Sequence, residues 1–182
     1  MTENDDIKNS ILSSGIPSLA IATTLPKEGA DVLRKWVQER QFDKAEGGSI
    51  GAFLHPRIPS ATNQTRRVFH VLAKEMVLSG VSVYSLPLER LVTGMTADYD
   101  NEDFERADVA DVTFVTDFYE RGASFPLQPW QAGAFRSWAK RKIENEKTVC
   151  LLSEGIWKEA QAWWTPSFLG FLQASMQTFA IG

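Results

Sequence analysis

An acidic residue directly follows a short apolar run near the middle of this sequence. Residues 111–116 (DVTFVT) have the composition of a buried strand, and Asp117 comes next. An acid at the end of such a strand can support a Mg²⁺ ion or orient an attacking water molecule. A pair of adjacent acids would begin at Thr116, whose hydroxyl cannot carry the charge. The pattern therefore indicates one candidate acidic residue, Asp117, at the end of a buried strand.

A loop rich in Pro, Ser and Thr, residues 55–62 (HPRIPSAT), comes earlier in the chain. A phosphate-binding loop at this place needs the pattern G-x-x-x-x-G-K-[ST]. The glycines let backbone N–H groups curl around phosphate oxygens, and the lysine and hydroxyl hold phosphate and Mg²⁺. Between Phe53 and Val68 the sequence has neither glycine nor lysine, and Pro56 and Pro59 have no N–H to donate.

Two registers of that pattern stay open. The G-K-[ST] positions fall either on Ser60, Ala61 and Thr62 or, counted back from Gly80, on Gln64, Thr65 and Arg66. Either register loses the loop geometry and the lysine, although Arg66 offers a positive charge.

The bulk composition argues against several classes of protein. The 182 residues have a formal net charge of −4, which is against wholesale attraction to nucleic acid or to anionic membranes. The single cysteine, Cys150, cannot form an internal disulfide and suits a reducing compartment. The sequence has no signal-peptide pattern and no apolar run long enough to span a bilayer, and His55 and His70 lack the spacing of metal ligands. We therefore expect a cytoplasmic protein without a metal or a membrane anchor.

The periodicity of apolar residues predicts an α/β protein. Short strand-like runs cover 49–55, 81–86, 111–116, 148–153 and 177–181, and helical patterns cover 28–42, 67–80, 87–95, 128–146 and 157–164. Strands that alternate with helices predict a parallel sheet covered on both faces, a three-layer αβα fold. Residues 1–27 have little period, so we expect a flexible N-terminal arm followed by one domain, 28–182.

Three stretches carry a family resemblance: 72–92 (LAKEMVLSGVSVYSLPLERLV), 110–118 (ADVTFVTDF) and 136–155 (RSWAKRKIENEKTVCLLSEG). In order and spacing they resemble the second-strand region, the Walker B strand and the sensor-1 region of AAA+ bacterial and phage helicase loaders. These are the DnaC/DnaI type, with the related IstB-like transposon ATPases. The resemblance covers residues 28–182. It implies a five-stranded P-loop sheet with the strand order 5-1-4-3-2 and no C-terminal lid domain.

The same resemblance implies a degenerate nucleotide site. Thr116 stands at the first Walker B acid, Asp117 at the second, and Ser153 at the sensor-1 asparagine. No arginine follows Arg141, so the family's sensor arginine and arginine finger have no counterpart in this sequence. We predict a pseudo-ATPase that uses no cofactor. Its nucleotide-pocket remnants are Ser60, Thr62, Thr65, Arg66, Thr116, Asp117 and Ser153.

Three surfaces are candidates for binding. The cations Arg136, Lys140, Arg141 and Lys142 form either a solvated helix face or a contact to a DNA backbone. The tail aromatics Trp157, Trp163, Trp164 and Phe168 are either core or a partner interface. The acidic stretch 98–111 is either a solvated face or a docking surface for a basic partner.

The leading hypothesis is a non-hydrolysing replication accessory protein of helicase-loader type, from a phage or a mobile element. It would bind a replicative helicase, single-stranded DNA or an active AAA+ partner. One alternative is an inhibitor or decoy of a host helicase loader. A second is an active ATPase loader that binds Mg²⁺ and ATP with Arg66 as its phosphate cation. A third is a plain α/β interaction module.

Overall fold

The computed structural model describes residues 3–46, 51–96, 101–119 and 127–182. Within them, five parallel strands form one sheet. The strands are β1 (Gly51–Pro56), β2 (Val83–Pro87), β3 (Val112–Tyr119), β4 (Thr148–Ser153) and β5 (Met176–Ile181). Their order across the sheet is β2-β3-β4-β1-β5, which confirms the predicted arrangement 5-1-4-3-2.

Helices connect these strands and cover both faces of the sheet. In the described residues they are α1 (Glu3–Ser13), α2 (Lys27–Glu46), α3 (Thr62–Leu78), α4 (Leu88–Met95), α5 (Glu102–Val109), α6 (Pro129–Glu144), α7 (Trp157–Trp163) and α8 (Pro166–Ser175). The five helices expected from periodicity are all present, and α1, α5 and α8 are additional. The three-layer α/β fold class is confirmed.

The central strands β1 and β4 are buried along their whole length. Ala52 of β1 pairs with Cys150 of β4 on one side and with Gln177 of β5 on the other. A parallel strand with helices on both faces has no solvated side, so its residues are apolar almost without interruption. This is why GAFLHP and TVCLLS stand out in the sequence as short apolar runs instead of alternating patterns.

The sheet separates two hydrophobic cores. On one face α4, α6 and α8 pack around residues that include Val115 and Phe135. On the other face α1, α2 and α3 pack around residues that include Phe69 and Phe114, whose ring centroids lie 4.9 Å apart. Successive strand residues point to opposite faces, so β3 supplies Phe114 to one core and Val115 to the other. The sheet is therefore held from both sides.

The end of α3 has the glycine cap that its sequence predicts. Gly80 has a φ of +77°, a left-handed conformation that costs a residue without a Cβ little. The N–H of Val81 donates to Met76 O (3.0 Å) and that of Gly80 donates to Val77 O (3.0 Å). These two bonds form a Schellman motif, which satisfies carbonyls left over at the helix end. The motif turns the chain from α3 towards β2.

Two of the additional helices begin at side-chain caps. The Asn101 side chain accepts from the N–H of Phe104 (3.0 Å) at the start of α5. Thr165 caps α8 by accepting from the N–H of Phe168 (3.4 Å), and Pro166 occupies the first helical position. Asn and Thr are favoured caps, and Pro is favoured at the first position. These signals are legible in the sequence, although periodicity alone did not reveal the helices.

The described residues of the N-terminal segment, for which the sequence predicts a flexible arm, make several contacts with the rest of the chain. Its described residues include α1, and Ile11 and Ile16 are buried in the core beside α3. The N–H of Ser85 on the edge strand β2 donates to Ser14 O (2.8 Å). Gly15 has a φ of +75°, and a Cβ on it would lie 2.0 Å from Ser85 O. The segment therefore packs on the sheet edge, because its apolar residues contact residues that are distant in sequence. A local sequence pattern does not contain such contacts. The flexible arm over residues 1–27 and the domain boundary after it stay predictions.

Candidate functional site

A cleft of about 320 Å³ opens at the carboxyl ends of β2 and β3. Open parallel sheets place ligands at these strand ends, because loops leave a crevice there between the helices. The cleft is lined by α3 residues, by the strand ends and by the N-terminal segment. Its polar lining residues include Arg66, His70, Arg90, Thr116 and Asp117. It is the candidate functional site.

The β1–α3 connection bears on the two registers of the degenerate phosphate loop. Helix α3 begins at Thr62, directly after a short 3-10 turn at Pro59–Ala61. A phosphate-binding loop delivers its Lys and Ser/Thr at the start of this helix. The start of α3 at Thr62 is consistent with the first register, which would put Ala61 at the lysine position and Thr62 at the hydroxyl position. Arg66 lies one turn inside α3.

The backbone of this turn has few N–H groups to offer a phosphate. The N–H of Arg57 donates to Ile181 O of β5 (2.8 Å), and that of Ala61 donates to Ile58 O (2.9 Å). Pro59 has no N–H. None of residues 57–61 has a positive φ, whereas an anion-binding nest combines right- and left-handed residues. The turn does not have the geometry of a phosphate cradle.

The hydroxyls of the predicted pocket remnants are largely occupied by backbone carbonyls. Thr62 Oγ1 lies 2.9 Å from Glu154 O and 2.9 Å from Pro59 O, to either of which it can donate. Thr65 is buried and donates to Ala61 O (2.9 Å). Ser153 is buried and donates to Gly155 O (2.8 Å). Ser60 lies exposed in the 3-10 turn.

Of the predicted remnants, the cleft brings together Arg66, Thr116 and Asp117. Ser60, Thr62, Thr65 and Ser153 do not line it. The Arg66 guanidinium forms an ion pair with Glu154, the residue that follows β4. Arg90 is also paired, with its Nε 3.3 Å from Asp103 Oδ2. Each of the two arginines that line the cleft therefore has a carboxylate of this chain as its counterion.

Asp117 lies at an irregularity in the sheet. The pairing of β3 with β4 shifts between Val115 and Tyr119, and Asp117 has a φ of +56°. This conformation is uncommon for a residue with a Cβ, although Asp tolerates it better than most. The Thr116 hydroxyl donates to Asp117 Oδ2 (3.1 Å), and the carboxylate is exposed. The bulge turns Asp117 out of the strand pattern, as bulges near functional sites commonly do.

His70, which the sequence analysis considered only as a metal ligand and rejected, lines the cleft. Its Nδ1 is buried and, in the part of the chain that the structure describes, has no hydrogen-bond partner. Burial lowers the pKa of His70 to about 4, with repulsion from Arg66 as the second cause and attraction to Asp117 opposing both. The imidazole is therefore neutral at pH 7. The sequence signal was a histidine one turn after Arg66 on the same helix face.

The basic helix contains one residue that does not face solvent. Lys142 is 2% exposed, and its Nζ donates to three carbonyls at the end of α5, those of Ala107 (2.8 Å), Asp108 (3.1 Å) and Ala110 (2.5 Å). Burial, followed by repulsion from Lys147, lowers its pKa to about 8, so it stays charged at pH 7. A cation at a helix C-terminus is favourable. Lys142 is thus a cap for α5, which corrects its assignment as a candidate DNA contact.

The other three predicted DNA contacts are exposed, but two of them are paired with acids. Arg141 Nη2 lies 3.0 Å from Asp108 Oδ1, and Lys140 Nζ lies 3.6 Å from Glu144 Oε1. Arg136 instead donates from Nη1 to the hydroxyl of Ser167 (3.0 Å). The four cations therefore do not form one free basic face.

The tail aromatics are mostly core residues. The rings of Trp164 and Phe168 stack with centroids 4.5 Å apart, and both side chains are buried. Trp157 is partly buried and meets Phe53 edge to face, with centroids 5.2 Å apart. The side chain of Trp163 lies outside the described residues. Trp164 and Phe168 are therefore core residues with little exposed surface, because α8 folds back and buries them.

The described residues lack two kinds of feature. They contain no group of three or more His, Cys, Asp or Glu side chains arranged to hold a metal ion. Among their helices, none is both long and apolar enough to cross a membrane.

The fold resembles those of AAA+ P-loop ATPases. DnaA from Aquifex aeolicus, solved with AMPPCP, aligns with a TM-score of 0.59 and 13% identity over 87% of this chain and 48% of that chain. The DnaC helicase loader aligns with a TM-score of 0.53 and 13% identity over 90% of this chain and 96% of that one. DnaI aligns with a TM-score of 0.52 and 13% identity over 73% of this chain and 70% of that one.

This chain spans about half the length of the DnaA structure that it matches. No protein-family profile matches the sequence, and no curated protein matches it. At such low identities the structural likeness shows the fold, and it confirms the AAA+ loader-like fold that the three sequence stretches implied.

Proposed function

We propose that this protein is a non-hydrolysing, AAA+-like accessory protein of DNA replication, of the helicase-loader type. It acts by binding a replicative helicase, single-stranded DNA or an active AAA+ protein, and it needs no nucleotide. The likeness in fold to the DnaC helicase loader, over 96% of that chain, supports the class of protein. The β1–α3 turn is the main observation that supports the absence of hydrolysis.

A phosphate cradle depends on several N–H groups that point at one place, together with a lysine. Here two of the five residues between β1 and α3, Arg57 and Ala61, donate to backbone carbonyls, and Pro59 has nothing to donate. Ala61 supplies no charge at the lysine position. A bound phosphate would have to break existing hydrogen bonds, each of which contributes about 0.5–1.5 kcal/mol net. The turn thus connects β1 to α3 without offering a phosphate-binding geometry.

The groups that would hold Mg²⁺ are equally engaged. Thr62, at the position of the hydroxyl ligand, lies within hydrogen-bond distance of Glu154 O. Thr116 replaces the first acid, and a hydroxyl is a much weaker ligand than a carboxylate for this hard cation. Arg66, the cation of α3 that lines the cleft, is neutralised by Glu154. Phosphate, metal and transition-state charge would therefore all lack their usual partners.

A helicase-loading assay tests this function. The protein is mixed with a replicative helicase and single-stranded DNA, and the helicase retained on the DNA is measured. We expect the protein to form a complex with the helicase without nucleotide and to increase the amount of helicase on the DNA. ATP or ADP should leave the stability of the complex unchanged. A complex that forms only with ATP would contradict the proposal.

The direction of the change in the amount of helicase on DNA distinguishes the proposed loader from the main alternative, an inhibitor or decoy. An inhibitor or decoy would also bind without nucleotide, since a protomer that cannot hydrolyse ATP can occupy a place in a loader assembly and stop it. It would decrease the amount of helicase on DNA when added to an active loader. If the protein forms no complex with helicase, loader or DNA, the remaining interpretation is a plain α/β interaction module.

A further inference from the structure

A second cavity, of about 330 Å³, opens between the first turns of α6 and α8. It has no lining residue in common with the strand-end cleft. Its volume is near the lower end of the range of about 300–1,000 Å³ found for ligand sites. A space of this size suits one large side chain better than a whole nucleotide. Its lining residues include Gly133, Arg136, Trp164, Ser167 and Phe168.

The floor of this cavity is aromatic and already in place. The ring of Trp164 stacks on Phe168 (4.5 Å between centroids) and on Phe118 (4.7 Å). All three side chains are buried in the core on this face of the sheet. A ring that enters the cavity would meet aromatic faces and edges that do not need to reorganise, which favours aromatic over aliphatic guests. The floor therefore predicts an aromatic guest.

The wall of the cavity carries a cation without a carboxylate partner among the residues that the structure describes. Arg136 donates to the Ser167 hydroxyl (3.0 Å), and its guanidinium lies 5.8 Å from the centroid of Phe171. Its neighbours on α6 differ, since Lys140 and Arg141 each pair with an acid of this chain. Ser167 and the aromatic ring orient the guanidinium but leave its charge unbalanced. The wall therefore predicts an anionic group on the guest.

An exposed aromatic residue is next in sequence to the cavity lining. Trp130, on the first turn of α6, follows the lining residue Pro129 and is 58% exposed, although a tryptophan is normally largely buried. Trp and Arg are the residue types enriched where interfaces bind most strongly. Gly133 lines the cavity, and a Cβ placed on it would meet no atom within 4 Å. The opening is therefore accessible to a guest from outside.

From these features we infer that the cavity is a docking site for an acidic segment of a partner protein. The segment inserts one aromatic side chain over Trp164 and Phe168 and places an aspartate or glutamate on Arg136. Single-stranded DNA is the less suitable occupant. A nucleic-acid track needs several free cations in a row, and the next cations on α6 are already paired. This site goes beyond the proposed function, because it names the chemistry of a partner and does not depend on helicase loading.

Fluorescence anisotropy with a labelled peptide, Asp-Asp-Phe-Asp-Asp, tests the inference on the full chain. Two control peptides replace the Phe by Ala, or all four Asp by Asn. We expect the first peptide to bind and both controls to bind at least about tenfold more weakly. Equal binding of the Ala control would mean that charge alone is recognised, and equal binding of the Asn control would remove the role of Arg136. Either result, or no binding of the first peptide, would overturn the inference.

Two variants locate the site. Gly133→Leu fills the cavity with a side chain for which there is open space, and it improves a helical position, so the fold is retained. We expect it to weaken peptide binding at least about tenfold. Gly170→Leu is the matched control, because Gly170 is also on a helix, also has no atom within 4 Å of a Cβ, and does not line the cavity. Equal effects of the two variants would place the peptide elsewhere.

A third variant tests the charge. Arg136→Gln should weaken binding about fivefold or more and reduce its dependence on salt. Lys158→Gln removes an exposed helical cation outside the cavity and should change neither. Sedimentation of the unliganded protein measures its oligomeric state and so tests the remaining candidate occupant, a second copy of this chain. A dimer that Gly133→Leu dissociates would mean that a second copy of this chain fills the cavity, and the acidic-peptide assignment would then be wrong.

Discussion

Arg66 and Glu154 form an ion pair that joins the second turn of α3 to the end of β4. The same Glu154 accepts, through its backbone carbonyl, the Thr62 hydroxyl at the start of α3 (2.9 Å). The residue that directly follows the fourth strand therefore engages both the hydroxyl at the start of α3 and the cation one turn further along it. These contacts tie α3 to the end of β4.

The first prediction concerns nucleotide binding. Isothermal titration with ATP or ADP in the presence of Mg²⁺ should give no binding heat with the wild-type protein. Glu154→Gln frees Arg66, and Thr116→Asp restores the first acid, yet neither change supplies the missing N–H donors of residues 57–61. We therefore expect no binding for either variant or for the double variant. Micromolar binding by the wild type, abolished by Arg66→Gln, would establish the active-ATPase alternative.

The second prediction concerns pH. His70 has a pKa of about 4 in the folded protein and about 6.5 when unfolded, so the unfolded state binds more protons between these values. The contribution of His70 to the free energy of unfolding should be complete above about pH 6.5 and be lost as the pH falls towards 4. The total loss is at most about 3 kcal/mol. Urea unfolding from pH 7 to 4 measures it.

His70→Gln is the control for this experiment, since it keeps a polar side chain of comparable size without a titrating group. Carboxylates throughout the chain also titrate in this range. The difference between wild type and variant isolates the histidine. Parallel pH profiles for the two proteins would show that His70 is protonated as easily in the folded state as in the unfolded one.

The third prediction separates two lysines that are two positions apart on α6. Lys142→Met removes the donor for three carbonyls at the end of α5 and should lower the free energy of unfolding by about 2–3 kcal/mol. Lys140→Met removes one member of an exposed pair with Glu144 and should cost less than about 0.5 kcal/mol. Chemical unfolding of both variants checks this. Equal small effects would mean that Lys147, which donates to Asp108 O and Val109 O, caps α5 alone.

The fourth prediction compares two glycines with nearly the same backbone. Gly80→Ala introduces a Cβ into open space at a φ of +77°, so only the left-handed conformation is penalised, by about 1–2 kcal/mol. Gly15→Ala has the same penalty at a φ of +75°, and its Cβ would also lie 2.0 Å from Ser85 O. We expect the bond from Ser85 N–H to Ser14 O to break, and a loss of at least about 2 kcal/mol more.

Hydrogen exchange gives an independent readout of the same contact. The Ser85 amide should be protected in the wild-type protein and in Gly80→Ala, and it should exchange rapidly in Gly15→Ala. A Ser85 amide that exchanges rapidly in the wild-type protein would mean that residues 3–20 do not hold the edge of β2, as the predicted flexible arm would require.

Local composition was enough to predict the five strands, and the family resemblance predicted their order. Strands such as β1 and β4 are buried on both faces, so they must be apolar in sequence wherever they lie in space. The cap at Gly80 was predictable for a similar reason, because a left-handed residue at a helix end depends on its own backbone. The absence of glycine and lysine between Phe53 and Val68 can likewise be seen directly in the sequence.

Only the tertiary structure decided what neighbouring elements do to these residues. Lys142 and Lys140 look alike in sequence, and the position of α5 makes one a buried cap and leaves the other exposed. The start of α3 at Thr62 favours one of the two registers of the G-K-[ST] pattern, between which the composition did not distinguish. The fold of α8 onto β3 buried Trp164 and Phe168 and left Arg136 beside them without an acid in the described chain. Burial and charge pairing depend on residues distant in sequence, so a local pattern cannot contain them.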